Sequence, residues 1–312
     1  MIECLVSADL SVENPDAVAE LFVTALDLPQ WRPNWVHDWA SSGYRAYFLR
    51  PQRNRAVAPT AIEVIGPHPE GGWNLNLRTV HTMQGDRPMK THNTVFSVPD
   101  PEDYVRRLSD ASIPYRYDTG SGELAFGKLW LGQIMEGDSF EYDPVFDAGL
   151  FIEIVPTSSM RLPADAEDPP TTTDIDIDKG GVVRAAARSF IVDDIDETLR
   201  VVKRTLGWDA SDVQESAIDQ SRVATYRPRL PGSAVFELLQ PIGDGPVADH
   251  RAAHGPGAYR ITFAVNGLEA ATGRLDDRGA GYTVEEPRGG DDARVRIDPA
   301  SFGGLVIDLI DV

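Results

Sequence analysis

The sequence predicts an α+β protein of four repeated strand-helix-strand modules, and three observations carry that prediction. One grammar recurs four times: an alternating apolar strand, an acidic or turn residue, an amphipathic helix and a closing strand. Each closing strand sets one acid among aliphatics, namely Glu63, Glu153, Glu237 and Asp308. A stretch rich in Pro, Thr and Asp parts the second copy from the third.

In the first copy, CLVSADLSV leads through Glu13, Asn14, Pro15 and Asp16 into the helical spelling AVAELFVTALDL, and AIEVIGP closes it. The second opens with HNTVFSV. Its PDPED supplies acids and a proline suited to a first helical turn, YVRRLSDASI follows, and LFIEIVP closes. The third runs from AAARSFIV through Asp193 and Asp194 into IDETLRVVKRTLGW and ends in AVFELLQP. In the fourth, AYRITFAV turns at Asn266 and Gly267, LEAATGRLDDRGA forms the helix, and GGLVIDLIDV closes.

At 312 residues the chain is about twice the ~150-residue domain prior, so two domains are expected. The linker spelling TSSMRLPADAEDPPTTTDIDIDKGG has no helical or long-strand period. It places domains at 1–157 and 183–312, with 158–182 between them, and two modules in each.

No apolar run approaches the ~20 residues of a membrane helix, and no basic segment precedes an apolar one at the N-terminus, so neither a span nor a secretory signal is expected. Cys4 is the single cysteine, which excludes an intrachain disulfide and a cysteine-rich metal cluster and fits a reducing cytoplasm. A formal net charge of −20 repels phosphate backbones and anionic membranes, leaving a small molecule as the expected partner. Walker, GxGxxG, GxSxG and HExxH patterns do not occur, so nucleotide, serine-hydrolase and zinc-peptidase chemistry have no support.

The spellings HNTVFSVPDPEDYVRRL…FIEIVP, RSFIVDDIDETLRVVKRTLGW and GAYRITFAVNGLEAATGRLDDRGAGY…DPASFGGLVIDLIDV resemble the βαβββ unit of the vicinal oxygen chelate superfamily. That superfamily includes glyoxalases, bleomycin-resistance proteins and extradiol dioxygenases. The resemblance implies four βαβββ modules pairing into two curved mixed-sheet cups. In such a cup a divalent metal is commonly held by the first and last strands, through a His seven residues ahead of the acidic turn and a closing Glu.

Counting back from Asn14, Asp100, Asp194 and Gly267 reaches Ser7, Asn93, Ala187 and Arg260, none of them histidine. The resemblance therefore implies an N-terminal metal set of Glu63, His92 and Glu153, with Ser7 and Asn93 lining the pocket. His92 stands one position off, and alternation along a strand turns it away from Asn93 unless a bulge or one-residue slip intervenes. In the C-terminal half Ala187 cannot ligate, and Arg260 puts a cation where a metal would sit, pairing with Glu237 or Asp308.

Trp31, Trp35 and Trp39 recur at four-residue spacing, which on a helix makes one aromatic face. That face serves either core packing or the wall of a substrate pocket, with His37 and Asp38 beside it to supply an acid or base. His68, His81, His250 and His254 fall in segments that read as surface loops.

The expected function is lyase or isomerase chemistry on a substrate with vicinal oxygens, with Glu63 or Glu153 as ligand or base and Fe, Mn, Zn or Mg as cofactor. Two alternatives stand beside it: a metal-free sequestering protein of the bleomycin-resistance type, and a ring-cleaving dioxygenase. Loss of a two-histidine, one-carboxylate pattern weighs against the dioxygenase. The halves can pair within the chain or across a homodimer.

Overall fold

The computed structural model describes residues 1–28, 35–39, 43–52, 55–120, 125–136, 139–161 and 177–312. The first module comprises β1 (Cys4–Leu5), β2 (Ser7–Ser11), α1 (Pro15–Leu26), β3 (Trp35–Trp39), β4 (Tyr44–Leu49) and β5 (Ala61–Gly66). A helix α2 (Leu75–Met83) leads to the second, made of β6 (Thr94–Val98), α3 (Pro101–Asp110), β7 (Tyr115–Asp118), β8 (Lys128–Leu131), a hairpin β9 (Gln133–Glu136) and β10 (Ser139–Tyr142), and β11 (Ile152–Pro156). The third holds β12 (Val182–Ile191), α4 (Ile195–Leu206), β13 (Asp212–Ser216), β14 (Ser221–Tyr226) and β15 (Val235–Pro241). After α5 (Pro246–His254) come β16 (Gly257–Val265), α6 (Leu268–Asp277), β17 (Tyr282–Glu285), β18 (Arg294–Ile297) and β19 (Ile307–Asp311).

All four modules share one topology. The opening strand runs parallel to the closing strand, and the two middle strands add antiparallel beyond it, as in β2-β5-β4-β3 and β16-β19-β18-β17. Opening strands then join modules antiparallel, β12 to β16 and β1 to β6. The C-terminal half is thus one eight-stranded mixed sheet with its two closing strands flanking a central seam, and the N-terminal half sets a five-stranded and a four-stranded mixed sheet side by side in sequence, each carrying the βαβββ order expected from the sequence. No helix among the described residues is long and apolar enough to cross a membrane.

The turn acids start the helices by capping. Asn14 accepts from Ala17 N at 3.1 Å, Asp100 from Glu102 N at 2.9 Å and Asp194 from Glu197 N at 2.9 Å, each satisfying an amide that has no partner inside its helix. Pro15 and Pro101 occupy first-turn positions, where a missing N–H costs nothing. Gly66 closes β5 beside the first turn of α1, and a Cβ there would stand 2.3 Å from the Val12 carbonyl oxygen.

One buried apolar cluster contains residues from both halves. Phe22 of α1 meets Phe263 and Phe302 of the fourth module edge-on, at 6.2 and 5.1 Å between ring centroids. Phe96 of β6 meets Phe236 and Trp208 of the third, both at 5.4 Å. The buried Arg188 of β12 donates to the Asp9 carbonyl at 3.0 Å and the Arg260 carbonyl at 3.4 Å, tying the opening strands of the two halves.

Some local expectations change. The segment read as a tryptophan-bearing helix is a strand at Trp35–Trp39, paired with β4, while Trp31 lies outside the described residues. Aromatic and β-branched residues in WVHDW suit a pleated partner, and pairing overrides the four-residue spacing. The histidines placed in surface loops also move. His81 is buried in α2, His68 is buried at a tight turn, and His250 and His254 stand one turn apart in α5 with their rings 4.7 Å apart.

Candidate functional site

Strand β2 alternates Ser7, Ala8, Asp9, Leu10 and Ser11, so its three polar side chains share one face. Asp9 and Glu63 are direct partners across the parallel β2–β5 pair. His92 and Asn93 precede β6 rather than lying in it, because the chain bends at His92. Strand alternation does not apply to that bend. Both side chains reach the cup, without the bulge or slip that a strand would have required.

Each carboxylate here spends one oxygen on a protein donor. Asp9 Oδ1 accepts from His92 N at 2.7 Å and Thr91 Oγ1 at 2.8 Å, while Oδ2 forms an ion pair with His92 Nδ1. Glu63 Oε2 accepts from Ser7 Oγ at 3.0 Å, and Oε1 lies 3.9 Å from His92 Nε2. Glu153 Oε2 accepts from Asn93 Nδ2 at 2.7 Å and Trp130 Nε1 at 2.9 Å. Asp9 Oδ2 and His92 Nδ1 lack an aligned hydrogen-bond partner despite their contact.

The electrostatics follow from burial. Desolvation pushes Glu63 up to about 8, against the pull of His92 and with the push of Asp9 and Glu153. Burial opposes the His92 imidazolium, yet Asp9 and Glu63 outweigh it and hold it at about 10. Glu153 is raised by burial, with His92 and Lys128 working against that rise. Burial and the charges of Glu63 and Glu153 push Tyr44 up to about 12.

Of the residues singled out by sequence, Ser7, Glu63, His92, Asn93 and Glu153 therefore converge. One ligand atom each from Asp9, Glu63 and His92 lie within 4.8 Å of one another, so Asp9 stands closer to His92 and Glu63 than the expected set allowed. The side chains of Trp35, His37 and Trp39 lie outside the described residues, as does Trp31. Asp9, Trp130 and Gln133, whose Nε2 lies 3.5 Å from Asn93 Oδ1, were missed. The polar alternation of β2 was the signal for Asp9, whereas Trp130 and Gln133 sit on or next to strands that no motif marked.

The C-terminal cup is built differently. Arg260 Nη1 lies 2.9 Å from Asp219 and 3.0 Å from Asp308, and its Nη2 3.7 Å from Glu237. Arg294 and Arg296 reach the same two aspartates at 2.9 to 3.3 Å. Burial alone would raise Asp219 and Asp308, but the three guanidiniums hold both below the usual carboxylate range. Arg260 pairs with Asp308 and Glu237 as expected, and Asp219, from the β13–β14 turn, is the added partner.

Residues 189–297 match the family described as the Glyoxalase/Bleomycin resistance protein/Dioxygenase superfamily. That match covers about a third of the chain, within its C-terminal half. The same strand topology recurs in the first half of the chain. Among solved structures similar to it, methylmalonyl-CoA epimerase from Mycobacterium tuberculosis is 23% identical, covering 42% of this chain and 88% of its own, with a TM-score of 0.38. A Streptomyces coelicolor methylmalonyl-CoA epimerase variant in complex with 2-nitronate-propionyl-CoA is 21% identical, covering 42% and 98%, with a TM-score of 0.38. A hypothetical protein from Bacillus halodurans C-125 is 17% identical, covering 41% and 93%, with a TM-score of 0.37. No curated protein matches the chain.

Proposed function

We propose that the N-terminal cup of this glyoxalase-type chain binds a divalent metal through Asp9, Glu63 and His92, with Glu153 beside it as base, for isomerase or lyase chemistry on a substrate with vicinal oxygens. The observation that carries this reading is the division of labour among the carboxylate oxygens. Ser7, Thr91, Asn93, Trp130 and the His92 amide anchor one oxygen of each acid. Donors of that kind are what orient ligands around an ion.

One imidazole and two carboxylates suit Mn, Mg or Zn, and Fe less well than a two-histidine set. When bound, such an ion polarises a substrate oxygen and stabilises the negative charge that develops on it. Glu153 Oε1 has no hydrogen-bond partner among the described residues, so it is the oxygen available to take a proton. Burial raises that carboxyl's proton affinity toward the range useful for a general base.

A second reading has a specific observation in its favour. Arg260 shows that a cup in this chain can hold a side-chain cation between acids, and His92 between Asp9 and Glu63 can do likewise in a metal-free binding protein. Elemental analysis of protein purified without chelator or nickel decides between them. About one equivalent of metal, lost in folded Glu63→Ala and His92→Ala variants, supports the metal site. No metal as purified and no uptake of added Mn2+ removes it in favour of the second reading.

A further inference from the structure

Cations stand in the strand row that carries Glu153. Glu153, Trp130 and Arg116 are consecutive cross-strand partners on β11, β8 and β7, so they form one row on one face. The Arg116 guanidinium carbon lies 3.7 Å from the centroid of the Trp130 ring, whose Nε1 donates to Glu153. Lys128 stands two residues before Trp130 on β8 and faces the same way, and its charge acts on Glu153.

Arg116 forms no ion pair among the described residues, and its buried Nε has no hydrogen-bond partner. The other cup is a contrast within the same chain: Arg260, Arg294 and Arg296 each hold a carboxylate at 3.0 Å or less. A half-buried guanidinium left without a carboxylate, stacked on an indole, keeps its edge N–H groups free for a bidentate anion. Two cations, Arg116 and Lys128, face the one charge of Glu153, and Asp118 at the end of β7 is exposed to water. Along this row the cations outnumber the carboxylates by one. The net charge of −20 opposes anions at long range, but at ~0.1 M salt it is screened beyond about 10 Å.

We propose that Arg116, supported on Trp130 and joined by Lys128, binds a carboxylate group of the substrate, which makes the substrate class a carboxylic acid whose vicinal oxygens lie nearer Glu153. This rests on the N-terminal cup being the reactive site, and the test separates the two.

The test uses full-length, chelator-treated protein and succinate, a probe with no keto or hydroxyl oxygen to chelate an ion. Binding is followed at the Trp130 indole N–H resonance, assigned with Trp130→Phe. Succinate should shift that resonance saturably, Arg116→Met should weaken binding at least tenfold, and Arg116→Lys should fall between them because it keeps charge without the fork. Thermal unfolding of each variant checks that it is folded. No shift with succinate, or equal affinity in wild type and both variants, overturns the proposal. Mn2+ binding, followed by electron paramagnetic resonance, is expected to be the same in wild type and Arg116→Met. Mn2+ bound by both with no succinate effect overturns the carboxylate site alone, whereas succinate binding without Mn2+ binding supports it while removing the metal.

Discussion

Gln84 holds the backbone of Thr91 as a neighbouring strand would, donating from Nε2 to the Thr91 carbonyl at 2.5 Å and accepting the Thr91 N–H at Oε1 at 3.0 Å. Thr91 and the next amide, His92 N, then both donate to Asp9 Oδ1. Gln84 lies outside the cup yet fixes the bend that delivers His92 and Asn93 into it. Gln84→Ala leaves two buried backbone groups unpaired at about 1–3 kcal/mol each. The variant should lose about 2–6 kcal/mol in urea unfolding and bind Mn2+ more weakly. Unchanged stability would mean the clamp does not hold the bend.

Glu153 and Asp308 occupy equivalent closing strands but do different work. Asp308→Ala leaves Arg260 and Arg296 short of a buried counter-charge and should cost about 3–5 kcal/mol without changing Mn2+ affinity. Glu153→Ala should cost less stability and remove turnover once a carboxylic-acid substrate is in hand. Rates compared at equal folded fraction decide the matter, and equal losses of rate in both variants contradict a single reactive half.

The repeat, the helix starts and the closing acids were legible because each is a local pattern: a period, a cap, or an acid between aliphatics. Counting from the turn acids found Ser7 and Asn93, and both do hydrogen-bond the closing glutamates of their modules. In the third module the same count gave Ala187, while Ser189, two residues on, is the partner of Glu237. Asp9 was hidden by the same rule, which allowed one position per strand where β2 presents three. His92 depended on where β6 begins, and the start of a strand is set by its partners rather than its own residues. Asp219 entered the C-terminal cup from a turn, which no strand pattern could announce.

Acid and neutral pH should act on opposite halves. Asp219 and Asp308 are held below their ordinary value of 3.8, so they stabilise the fold above that value, and their contribution is lost as pH falls below about 4. Asp147 is the reverse. It accepts from Tyr142 Oη, Gly149 N and Ile152 N, yet burial outweighs these bonds and raises it from 3.8 to about 7. The native state then holds its proton more tightly than the unfolded chain, so stability declines as pH rises from about 4 to about 7 and is flat above. At about 1.4 kcal/mol per pH unit the change is a few kcal/mol at most. Urea unfolding across pH 4.5 to 7.5 should show the decline in wild type, and Asp147→Asn should make it shallower, leaving the share that the raised Glu63 contributes.

Phe22 tests whether the halves unfold separately. We propose that the division at 158–182 separates two topological units but not two unfolding units, because α1 of the first module packs its phenylalanine on Phe263 and Phe302 of the fourth. Removing a buried aromatic ring costs about 3–5 kcal/mol, partly through the cavity left behind. If the shared core couples the halves, Phe22→Ala lowers the protection from hydrogen exchange of β16 and β19 as much as that of β2 and β5. Loss of protection confined to β2 and β5, with a second and unshifted thermal transition, would show that the C-terminal half stands alone.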